Sequence, residues 1–475
     1  MRTLPCLAAI AALLTTIGGA WPAGADPLPT LVCANGGPTY VPFSQNEFQL
    51  GDIGTPMQRV QLDGPNSRCN DGTPAIMYIR PASAYHNGPQ LPPNALKQEK
   101  WVIDLEGGGG CRDEAACLER WCGLTGIDRA AAMSTTDSFE AIPGSRGIFR
   151  RDPAINRFAG YNHVVINYCS SDNWIGSGAQ ALASNGKTYD IEFNGEAIVN
   201  DAFARLLDPA GLGPDQTTFW SDVLPSLRTA DEIVLVGESA GGGGLRHHVD
   251  RLREMLVREV YGRARISAVI DAAATPALWD AGISWGGPNG APTSYQDYLL
   301  SVSEPTVRTF WGVDDSALDQ SCLDAAYAAA HAAIGGSHPQ VCYDTTYTLF
   351  NHITTPFFVR EDINDPLQRE KYADWQLYPN PPAYWTAQRN LLNSLVGYAG
   401  GLEPLPVVPG VFGPNCAQHV TLHSNRFFAE AVRLPGGVMG TPFHDLVDDW
   451  MTGLPAAQVQ ADGILGPAYT PSFCP

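Results

Sequence analysis

Residues 232–256, with the sequence EIVLVGESAGGGGLRHHVDRLREML, contain the pattern that decides the fold. Ile233–Val236 is a short apolar run of the kind that forms a buried parallel strand. It leads through Gly237 into a glycine-rich turn around Ser239. Beyond the turn, apolar side chains recur at steps of three and four residues, as on one face of a helix: Leu245, Val249, Leu252 and Leu256. The pattern therefore predicts a strand, a sharp turn at a serine and an amphipathic helix in direct succession.

Similar short apolar runs recur along the chain, each bounded by polar or glycine-rich sequence. They are Trp101–Leu105, Val164–Tyr168, Ile266–Ile270 and Phe357–Val359. Strands that alternate with helical segments indicate an α/β fold, with a mainly parallel central sheet and helices on both faces. Residues 26–100 are rich in Gly, Pro and Asn and allow no assignment of elements.

The motif Gly-x-Ser-x-Gly occurs twice, around Ser239 and around Ser284. A nucleophile elbow requires a strand before the serine and a helix after it, and its tight backbone favours glycine beside the serine. Ser239 has both elements, whereas the segment 287–290 after Ser284 reads Gly-Pro-Asn-Gly, which is typical of a loop. We therefore predict that Ser239 is the nucleophile of an α/β-hydrolase. The alternative is that Ser239 is an ordinary helix cap.

A second glycine run, Gly107–Gly110, directly follows the predicted strand Trp101–Leu105. Amides of such a run can point at a developing oxyanion, and the residue after the nucleophile, here Ala240, supplies another donor. The run lacks the Gly-Lys-Ser/Thr ending of a phosphate-binding loop. A tight turn without a catalytic role is the alternative.

The general base and its acid must come from later in the chain, since the histidine of an α/β-hydrolase is usually the last of the three. Three histidines qualify: His419, His423 and His444. The acid should follow a late strand, such as Phe357–Val359, so that it can orient the imidazole. The candidates are Glu361, Asp362 and Asp365, with Asp271 at the end of Ile266–Ile270 as a further one. The pattern does not choose among them.

The N-terminus has the form of a signal peptide. Arg2 precedes the apolar run Leu7–Ile17, and Ala23-Gly24-Ala25 offers a small-x-small cleavage site. We therefore expect residues 1–25 to be removed, residues 26–475 to form one domain, and the mature chain to be secreted or periplasmic. The run is too short to span a bilayer, and no later stretch reaches that length, so no membrane insertion is expected.

Eleven cysteines are present, of which Cys6 lies in the predicted signal peptide. The other ten suggest up to five disulfides that staple long loops, because an even number is typical of exported chains. They are Cys33, Cys69, Cys111, Cys117, Cys122, Cys169, Cys322, Cys342, Cys416 and Cys474. Their spacing does not fit a zinc site, and no metal or organic cofactor is expected. The net charge of −20 disfavours nucleic acid as a partner, and we expect a monomer.

Four blocks in this order resemble the family of pectin acetylesterases and Notum-type carboxylesterases. They are Leu105–Gly108 with Cys111, Tyr168-Cys169-Ser170-Ser171-Asp172, Gly237–Gly244, and the Thr355-Pro356-x-Phe358 and Asp365-x-x-Gln368 pair followed by Cys416-x-x-His419. The resemblance implies that Ser239 is the nucleophile, Asp365 the acid and His419 the base. It implies Gly107, Gly108 and Ala240 as oxyanion donors. The chain departs from the family beside the glycine run, where an aromatic residue is usual and this chain continues with Gly109 and Gly110, and at Glu238, where a small residue is usual.

These observations together predict a secreted serine carboxylesterase that works through an acyl-enzyme and needs no cofactor. The expected substrates are short-chain acyl esters, such as an O-acetylated polysaccharide or a small ester. A lipid or protein deacylase of the same fold is the alternative enzyme. A secreted binding protein without catalysis is the alternative from another class.

Overall fold

The computed structural model describes residues 26–33, 55–86, 90–123, 132–136, 138–262, 264–276, 278, 292–327, 339–374, 381–398, 408–434 and 438–459. The predicted signal peptide, residues 1–25, and the alternative nucleophile Ser284 lie outside these residues. Within them, no helix is both long enough and apolar enough to cross a membrane.

The strands that the structure describes are β1 (Asp26–Pro27), β2 (Met57–Gln61), β3 (Ile76–Arg80), β4 (Lys100–Leu105), β5 (Ala141–Ile142), β6 (Asn162–Ile166), β7 (Gly178–Ser184), β8 (Lys187–Phe193), β9 (Glu232–Glu238), β10 (Arg265–Asp271), β11 (Phe357–Arg360), β12 (Gly410–Gly413), β13 (Ala431–Arg433), β14 (Met439–Pro442) and β15 (Ala457–Val459). The helices are α1 (Glu114–Cys122), α2 (Gly195–Leu206), α3 (Ala240–Glu259), α4 (Tyr295–Tyr298), α5 (Gln320–Tyr327), α6 (Thr345–Asn351), α7 (Pro366–Asp374), α8 (Pro381–Tyr398) and α9 (Phe443–Met451).

A ten-stranded sheet in the order β15-β12-β11-β10-β9-β4-β6-β3-β2-β5 forms the centre of the molecule. Neighbouring strands from β15 to β6 are parallel, and β3, β2 and β5 continue the sheet in antiparallel fashion. All five apolar runs read from the sequence are strands of the parallel part, which confirms the predicted sheet. Strands β2 and β3 come from residues 26–100, for which the sequence allowed no assignment.

Side chains alternate between the two faces of the sheet, and each face carries its own apolar core. On β9, Ile233 and Leu235 belong to the core that also contains Leu245 and Leu252 of α3. Val234 and Val236 belong to the opposite core, which α9 completes through side chains such as Leu446. Helices therefore cover both faces, as predicted, and the carboxyl ends of the parallel strands meet along one edge.

Disulfides join segments that are distant in the chain as well as one short loop. The bonded pairs are Cys33–Cys122, Cys69–Cys169, Cys111–Cys117 and Cys322–Cys342. Cys416 is disulfide-bonded too. The prediction of a disulfide-stapled chain is confirmed.

Candidate active site

Ser239 occupies the sharp turn between β9 and α3, at φ 52° and ψ −119°. This region is strained for a residue with a side chain, and it places the hydroxyl above the end of the strand. The flanking glycines are required by close backbone contacts. A Cβ on Gly237 would come within 2.6 Å of the Gly241 carbonyl oxygen, and one on Gly241 would collide with the Leu105 carbonyl. The amide of Ser239 donates to the Asp271 carbonyl at 2.9 Å, which holds the turn against β10.

His419 lies between Ser239 and Asp365. Its Nε2 is 2.7 Å from the Ser239 Oγ, and its Nδ1 is 2.6 Å from the Asp365 Oδ2. Asp365 is fully buried, whereas the His419 side chain keeps 16% exposure. A neutral imidazole that donates from Nδ1 to the carboxylate leaves Nε2 as an acceptor for the serine hydroxyl. The structure therefore brings together the three residues that the resemblance implied.

Asp365 is oriented by the helix that follows it. Its Oδ1 accepts hydrogen bonds from the amides of Leu367 at 2.9 Å and Gln368 at 3.0 Å, as an N-cap of α7 does. Its Oδ2 is thereby left to face His419. Gln368, the other residue of the Asp-x-x-Gln pair, donates to the Ala272 carbonyl at 3.4 Å and ties α7 to the end of β10.

The alternative acids Asp362 and Asp271 contact the histidine loop (residues 416–423) through its backbone. Asp362 Oδ2 accepts from the amides of Cys416 at 2.8 Å and Gln418 at 3.1 Å. Asp271 Oδ2 accepts from the amides of Thr421 at 2.7 Å and Leu422 at 2.8 Å. The two aspartates therefore hold the loop on either side of His419 and do not face its imidazole.

Arg360, at the end of β11, completes this support. Its Nη1 donates to the His419 carbonyl at 2.9 Å and lies 3.2 Å from an Asp271 oxygen. Its Nε and Nη2 make a two-pronged contact with Glu430 at 3.2 and 2.8 Å. All three side chains are fully buried, and the carboxylates keep the pKa of Arg360 above its ordinary value although burial alone would lower it. The histidine loop is thus anchored on a buried ionic network.

The other two candidate histidines have different partners. His444, on α9, accepts from the Arg157 amide at 3.4 Å and contacts Asp445. His423 lies between Asp104 and Glu238, with a nitrogen 3.3 Å from an oxygen of each. Ser239 is in hydrogen-bond contact with neither of them among the described residues.

The glycine loop (residues 107–110) runs over the nucleophile turn. A Cβ on Gly107 would lie 3.1 Å from the Ser239 Cβ, so only glycine allows the loop to come this close. Gly108 and Gly109 have φ of 151° and 68°, a region that favours glycine. Arg120 of α1, which is buried, donates through Nη2 to the Gly108 carbonyl at 2.6 Å and fixes the direction of that peptide. Burial raises the pKa of the Glu238 carboxyl beside this loop, but His423, with a smaller contribution from the Gly107 amide, brings it below its ordinary value.

The block Tyr168–Asp172 supports the glycine loop from outside. The Tyr168 amide donates to a Glu106 carboxyl oxygen at 3.1 Å, and the Cys111 amide donates to the Ser171 carbonyl at 3.1 Å. Ser171 Oγ accepts from Arg120 Nε at 2.9 Å. The block thus connects to both ends of the loop, which gives a physical reason for its place beside the catalytic motifs.

Among the described residues, Asp362, Cys416 and Glu430 form one group with potential ligand atoms within 4.8 Å of one another. Cys416 is disulfide-bonded, so its sulfur is not a thiolate. Arg360 lies 3.7 Å from Asp362 and 2.8 Å from Glu430 and balances their charge. The chemistry of this group is that of a buried ion pair and not of a metal centre.

Two residues that support the site, Arg120 and Arg360, belong to none of the sequence motifs, and their roles depend on partners distant in the chain. His423 was a candidate base, but its contacts with Asp104 and Glu238 are not evident from the sequence. A signal was present for Arg360, because a charged residue that ends an apolar strand requires a buried counter-charge. Glu238 gave a similar signal within the serine motif itself.

The mainly parallel sheet carries a strand–serine–helix turn at its centre, and later loops bring a histidine and an aspartate to that serine. This arrangement defines the fold as that of an α/β-hydrolase. A family model described as Pectinacetylesterase matches residues 54–273. Over these residues the chain is therefore similar to pectin acetylesterases.

Curated relatives named palmitoleoyl-protein carboxylesterase NOTUM match parts of the chain. The one from Drosophila melanogaster is 28% identical over 378 residues, which is 78% of this chain and 46% of that protein. The one from Schmidtea mediterranea is 31% identical over 209 residues, which is 44% of this chain and 32% of that protein. This chain thus spans less than half the length of either relative.

A solved structure, that of the Wnt deacylase Notum from Drosophila, has the same fold. It superposes with a TM-score of 0.58 at 22% sequence identity and covers 85% of this chain and 97% of that chain. At this level of identity the likeness concerns the fold alone.

Proposed function

We propose that this protein is a serine carboxylesterase that hydrolyses acyl esters through an acyl-enzyme on Ser239. The observation that carries the proposal is the hydrogen-bonded line from the Ser239 Oγ to the His419 Nε2 at 2.7 Å and from the His419 Nδ1 to the Asp365 Oδ2 at 2.6 Å. Such a line makes a serine hydroxyl nucleophilic at neutral pH, because the imidazole accepts its proton as the new bond forms.

In the first half-reaction, His419 takes the hydroxyl proton while the Ser239 Oγ attacks the ester carbonyl. The carbonyl oxygen becomes an oxyanion in the tetrahedral intermediate. His419 then gives its proton to the leaving alcohol, and the acyl group stays on Ser239. In the second half-reaction, water attacks the acyl carbonyl with His419 as general base, which releases the carboxylic acid and restores the serine. Asp365 holds the imidazole in place and stabilises the imidazolium without taking its proton.

The oxyanion would be stabilised by backbone amides of the glycine loop and of the residue after the nucleophile. We propose Gly108 and Ala240 as the principal donors. Ala240 begins α3, and Gly108 lies in the glycine loop that Arg120 holds through the Gly108 carbonyl. The Gly107 amide is the third donor implied by the resemblance, and Gly107 packs directly on Glu238 and Ser239.

For the substrate we propose a short-chain acyl ester, such as an O-acetyl group of a polysaccharide or of a small molecule. The family model, described as Pectinacetylesterase, supports this class. A second candidate, a lipid or protein deacylase, is supported by the curated relatives named palmitoleoyl-protein carboxylesterase. The two differ in acyl chain length, which can be measured.

We also propose that the chain is exported and that residues 26–475 act as one domain. The disulfides support export, since they are rare in reducing compartments. The central sheet, which draws strands from residues 57 to 459, supports a single domain.

The nucleophile is tested by Ser239→Ala, with Ser284→Ala of the second Gly-x-Ser-x-Gly motif as the matched control. We expect Ser239→Ala to lower kcat on a chromogenic acetate ester by up to about a million-fold, because the covalent intermediate cannot form. Labelling by a fluorophosphonate probe should disappear with it, while the Tm stays near that of the wild type. Ser284→Ala should retain both activity and labelling. A wild-type protein that neither labels nor hydrolyses would instead support the binding-protein alternative.

The substrate class is tested by kcat/KM for p-nitrophenyl esters from two to sixteen carbons, together with acetate release from acetylated polysaccharides. We expect the acetate ester to be the best of the series, because the proposed acyl group is short. A maximum at twelve or more carbons would replace the proposal with the deacylase candidate.

A further inference from the structure

A second histidine, His423, lies one turn of chain beyond His419 and is not used by the proposed mechanism. Its Nδ1 is 3.3 Å from the Glu238 Oε1, and its Nε2 is 3.3 Å from the Asp104 Oδ2. The side chains of Asp104 and Glu238 are 0% and 8% exposed, and that of His423 is 21% exposed. One imidazole therefore contacts two buried carboxyl groups at once.

The two carboxyl groups meet because of the pairing of their strands. Asp104 on β4 and Glu238 on β9 stand at the carboxyl ends of neighbouring parallel strands. Asp104 comes two residues after Val102, and Glu238 comes two residues after Val236. Since residues two apart on a strand share a face, both carboxyl groups lie on the face of the second apolar core. Apart from His423, neither oxygen of Asp104 has a polar partner among the described residues. Burial keeps the pKa of Asp104 above its ordinary value although His423 lowers it, and a charged carboxylate in such surroundings needs a cation beside it.

The position of this cluster relates it to the site. Glu238 is the residue before the nucleophile, and its side chain packs against Gly107 of the glycine loop, where an added Cβ would lie 3.3 Å from the Glu238 Cγ. Asp104 lies on the strand that leads into that loop. His423 belongs to the histidine loop, whose amides at Thr421 and Leu422 are held by Asp271. The imidazole thus joins the nucleophile turn, the glycine loop and the histidine loop.

The electrostatics agree with a charged imidazole. Burial lowers the pKa of His423, but Glu238 and Asp104 outweigh that effect and raise it well above its usual range. Burial raises the pKa of Glu238, and His423 more than offsets this, so the pKa lies below its ordinary value. The other groups that act on the cluster are Glu106, His419 and Asp271, and the Phe149 ring packs on the imidazole with 5.2 Å between ring centres.

We propose that His423 is a positioning residue, an imidazolium bridge between Glu238 and Asp104 that sets the nucleophile turn and the glycine loop in register with His419. This proposal rests on the esterase function proposed above, since the geometry it maintains is that of the reacting groups. The departure of this chain from the family pattern at Glu238 thereby acquires a role. The bridge contacts no reacting atom, so its loss should lower kcat more than it raises KM.

The first test compares His423→Gln with His444→Gln, a matched change of another largely buried histidine that lies away from Ser239. We expect His423→Gln to lower kcat on p-nitrophenyl acetate by on the order of a hundredfold, the effect of a displacement of about 1 Å. KM should change little, and His444→Gln should keep kcat near the wild-type value. A kcat of His423→Gln equal to that of the wild type would overturn the proposal.

The second test uses Glu238→Gln, which keeps the shape of the side chain and removes one charge. A bridge that works as an imidazolium should lose its proton at lower pH in this variant. The alkaline fall of kcat should therefore move down by about one to three pH units. A merely structural role for Glu238 would lower the Tm and leave the pH profile in place, and an unmoved profile would overturn the proposal.

The third test is independent of catalysis. NMR of the Ser239→Ala protein measures the chemical shifts of the His423 side-chain nitrogens. The signals are assigned by their loss in His423→Gln or, if that variant does not fold, by selective labelling. We expect imidazolium shifts at pH 7 and beyond, whereas a neutral ring at pH 7 would overturn the bridge. If the wild type fails to react with a fluorophosphonate, the proposed function fails, and the NMR titration still decides the charge state of His423.

Discussion

Three buried aspartates lie within reach of the histidine loop, and the partners of their oxygens separate their roles. The Oδ1 of Asp365 accepts hydrogen bonds from two amides of α7, and its Oδ2 faces His419. One oxygen of Asp362 accepts a hydrogen bond from the Asn364 amide, and the other accepts from two amides of the histidine loop. Asp271 divides its oxygens between Arg360 and that loop. Both oxygens of Asp362 and of Asp271 are directed at other donors, whereas one oxygen of Asp365 is left for the imidazole.

The acid is tested by changing each aspartate to asparagine and measuring kcat on one chromogenic acetate ester. Asp365→Asn should lower kcat by roughly 10⁴-fold, the loss found for the equivalent change in a serine protease, because the imidazolium loses its counter-charge and the wrong tautomer is favoured. Its Tm should change little. Asp271→Asn should act mainly on stability, at a cost of about 3 kcal/mol or more, since it leaves Arg360 without one partner of a buried pair.

Asp362→Asn serves as the near neighbour control, because it lies three residues from Asp365 and holds the loop only through backbone amides. We expect a smaller loss of kcat for it than for Asp365→Asn. An inactive Asp362→Asn or Asp271→Asn protein with normal Tm, beside an active Asp365→Asn protein, would move the acid to another residue.

The sequence predicted that these aspartates lie at one edge of the sheet, but it did not indicate which of them is the catalytic acid. Asp362 and Asp365 follow the same strand, and their difference arises from the turn between them and from the start of α7 at Pro366. That turn is fixed by contacts with residues 272 and 416–418, which are distant in the chain. Only the family resemblance selected Asp365 in advance.

At the scale of elements, the glycine loop illustrates how a segment without regular structure is held rigid. The Cys111–Cys117 disulfide ties its end to α1, and the Cys111 carbonyl accepts from Trp311 Nε1 at 2.7 Å. Arg120 of the same helix holds the Gly108 carbonyl. The Cys69–Cys169 disulfide, in contrast, joins the segment before β3 to the segment after β6 over a separation of 100 residues. The Cys111–Cys117 disulfide therefore fixes the geometry of the site, whereas the Cys69–Cys169 disulfide closes a long loop and so restricts the unfolded chain.

These two disulfides should therefore differ in what their removal changes. Replacement of both Cys69 and Cys169 by alanine should cost roughly 4–5 kcal/mol of unfolding free energy on the chain-entropy model, because the closed loop is long. Replacement of both Cys111 and Cys117 should cost about 2 kcal/mol by the same relation, since the loop is short. We expect the second pair to lose more kcat at a temperature where both variants are folded. Urea unfolding and kcat, measured together, check both statements.

An unchanged kcat after removal of Cys111–Cys117 would show that the hydrogen bonds from Arg120 and Trp311 and to Ser171 hold the loop without the disulfide. The native wild-type protein should also show few titratable thiols, and a protein with most of its cysteines reactive would contradict the oxidised state of the described pairs.

Elements with strong apolar runs could be read from the sequence, and those with polar edges could not. β4, β9 and β10 were recognised because parallel strands buried on both faces are apolar throughout. β2, with the sequence Met-Gln-Arg-Val-Gln, carries three polar side chains and resembles a loop. Its place in the sheet depends on antiparallel pairing with β3, a long-range contact that composition does not reveal.

For the whole molecule, several buried carboxyl groups with a raised pKa act in the same direction on stability. Burial raises the pKa of Glu106 to about 8, that of Asp362 to about 7 and that of Asp172 to about 6. The folded chain therefore binds more protons than the unfolded chain between the ordinary pKa of these groups and the raised one. By linkage, their contribution to the free energy of unfolding falls as the pH rises through that window. The depressed pKa of Glu238 acts in the opposite sense.

Glu106→Gln isolates the largest of these numbered shifts, because glutamine keeps an oxygen that can accept from the Tyr168 amide and carries no charge. Near pH 4.5, the ordinary pKa, the variant and the wild type should have nearly equal free energies of unfolding, since the wild-type carboxyl is protonated in the fold. As the pH rises toward 8, the unfolded wild type gains stability by releasing a proton that the folded state retains. The variant should therefore become the more stable protein by at most about 1.4 kcal/mol per pH unit, and the gap should stay constant above pH 8. Urea unfolding of both proteins at pH 5, 7 and 9 measures this gap. If the wild type were as stable as the variant at pH 9, the prediction would be wrong. Solvent would then reach Glu106, and the charge of its carboxylate would not lower the free energy of unfolding.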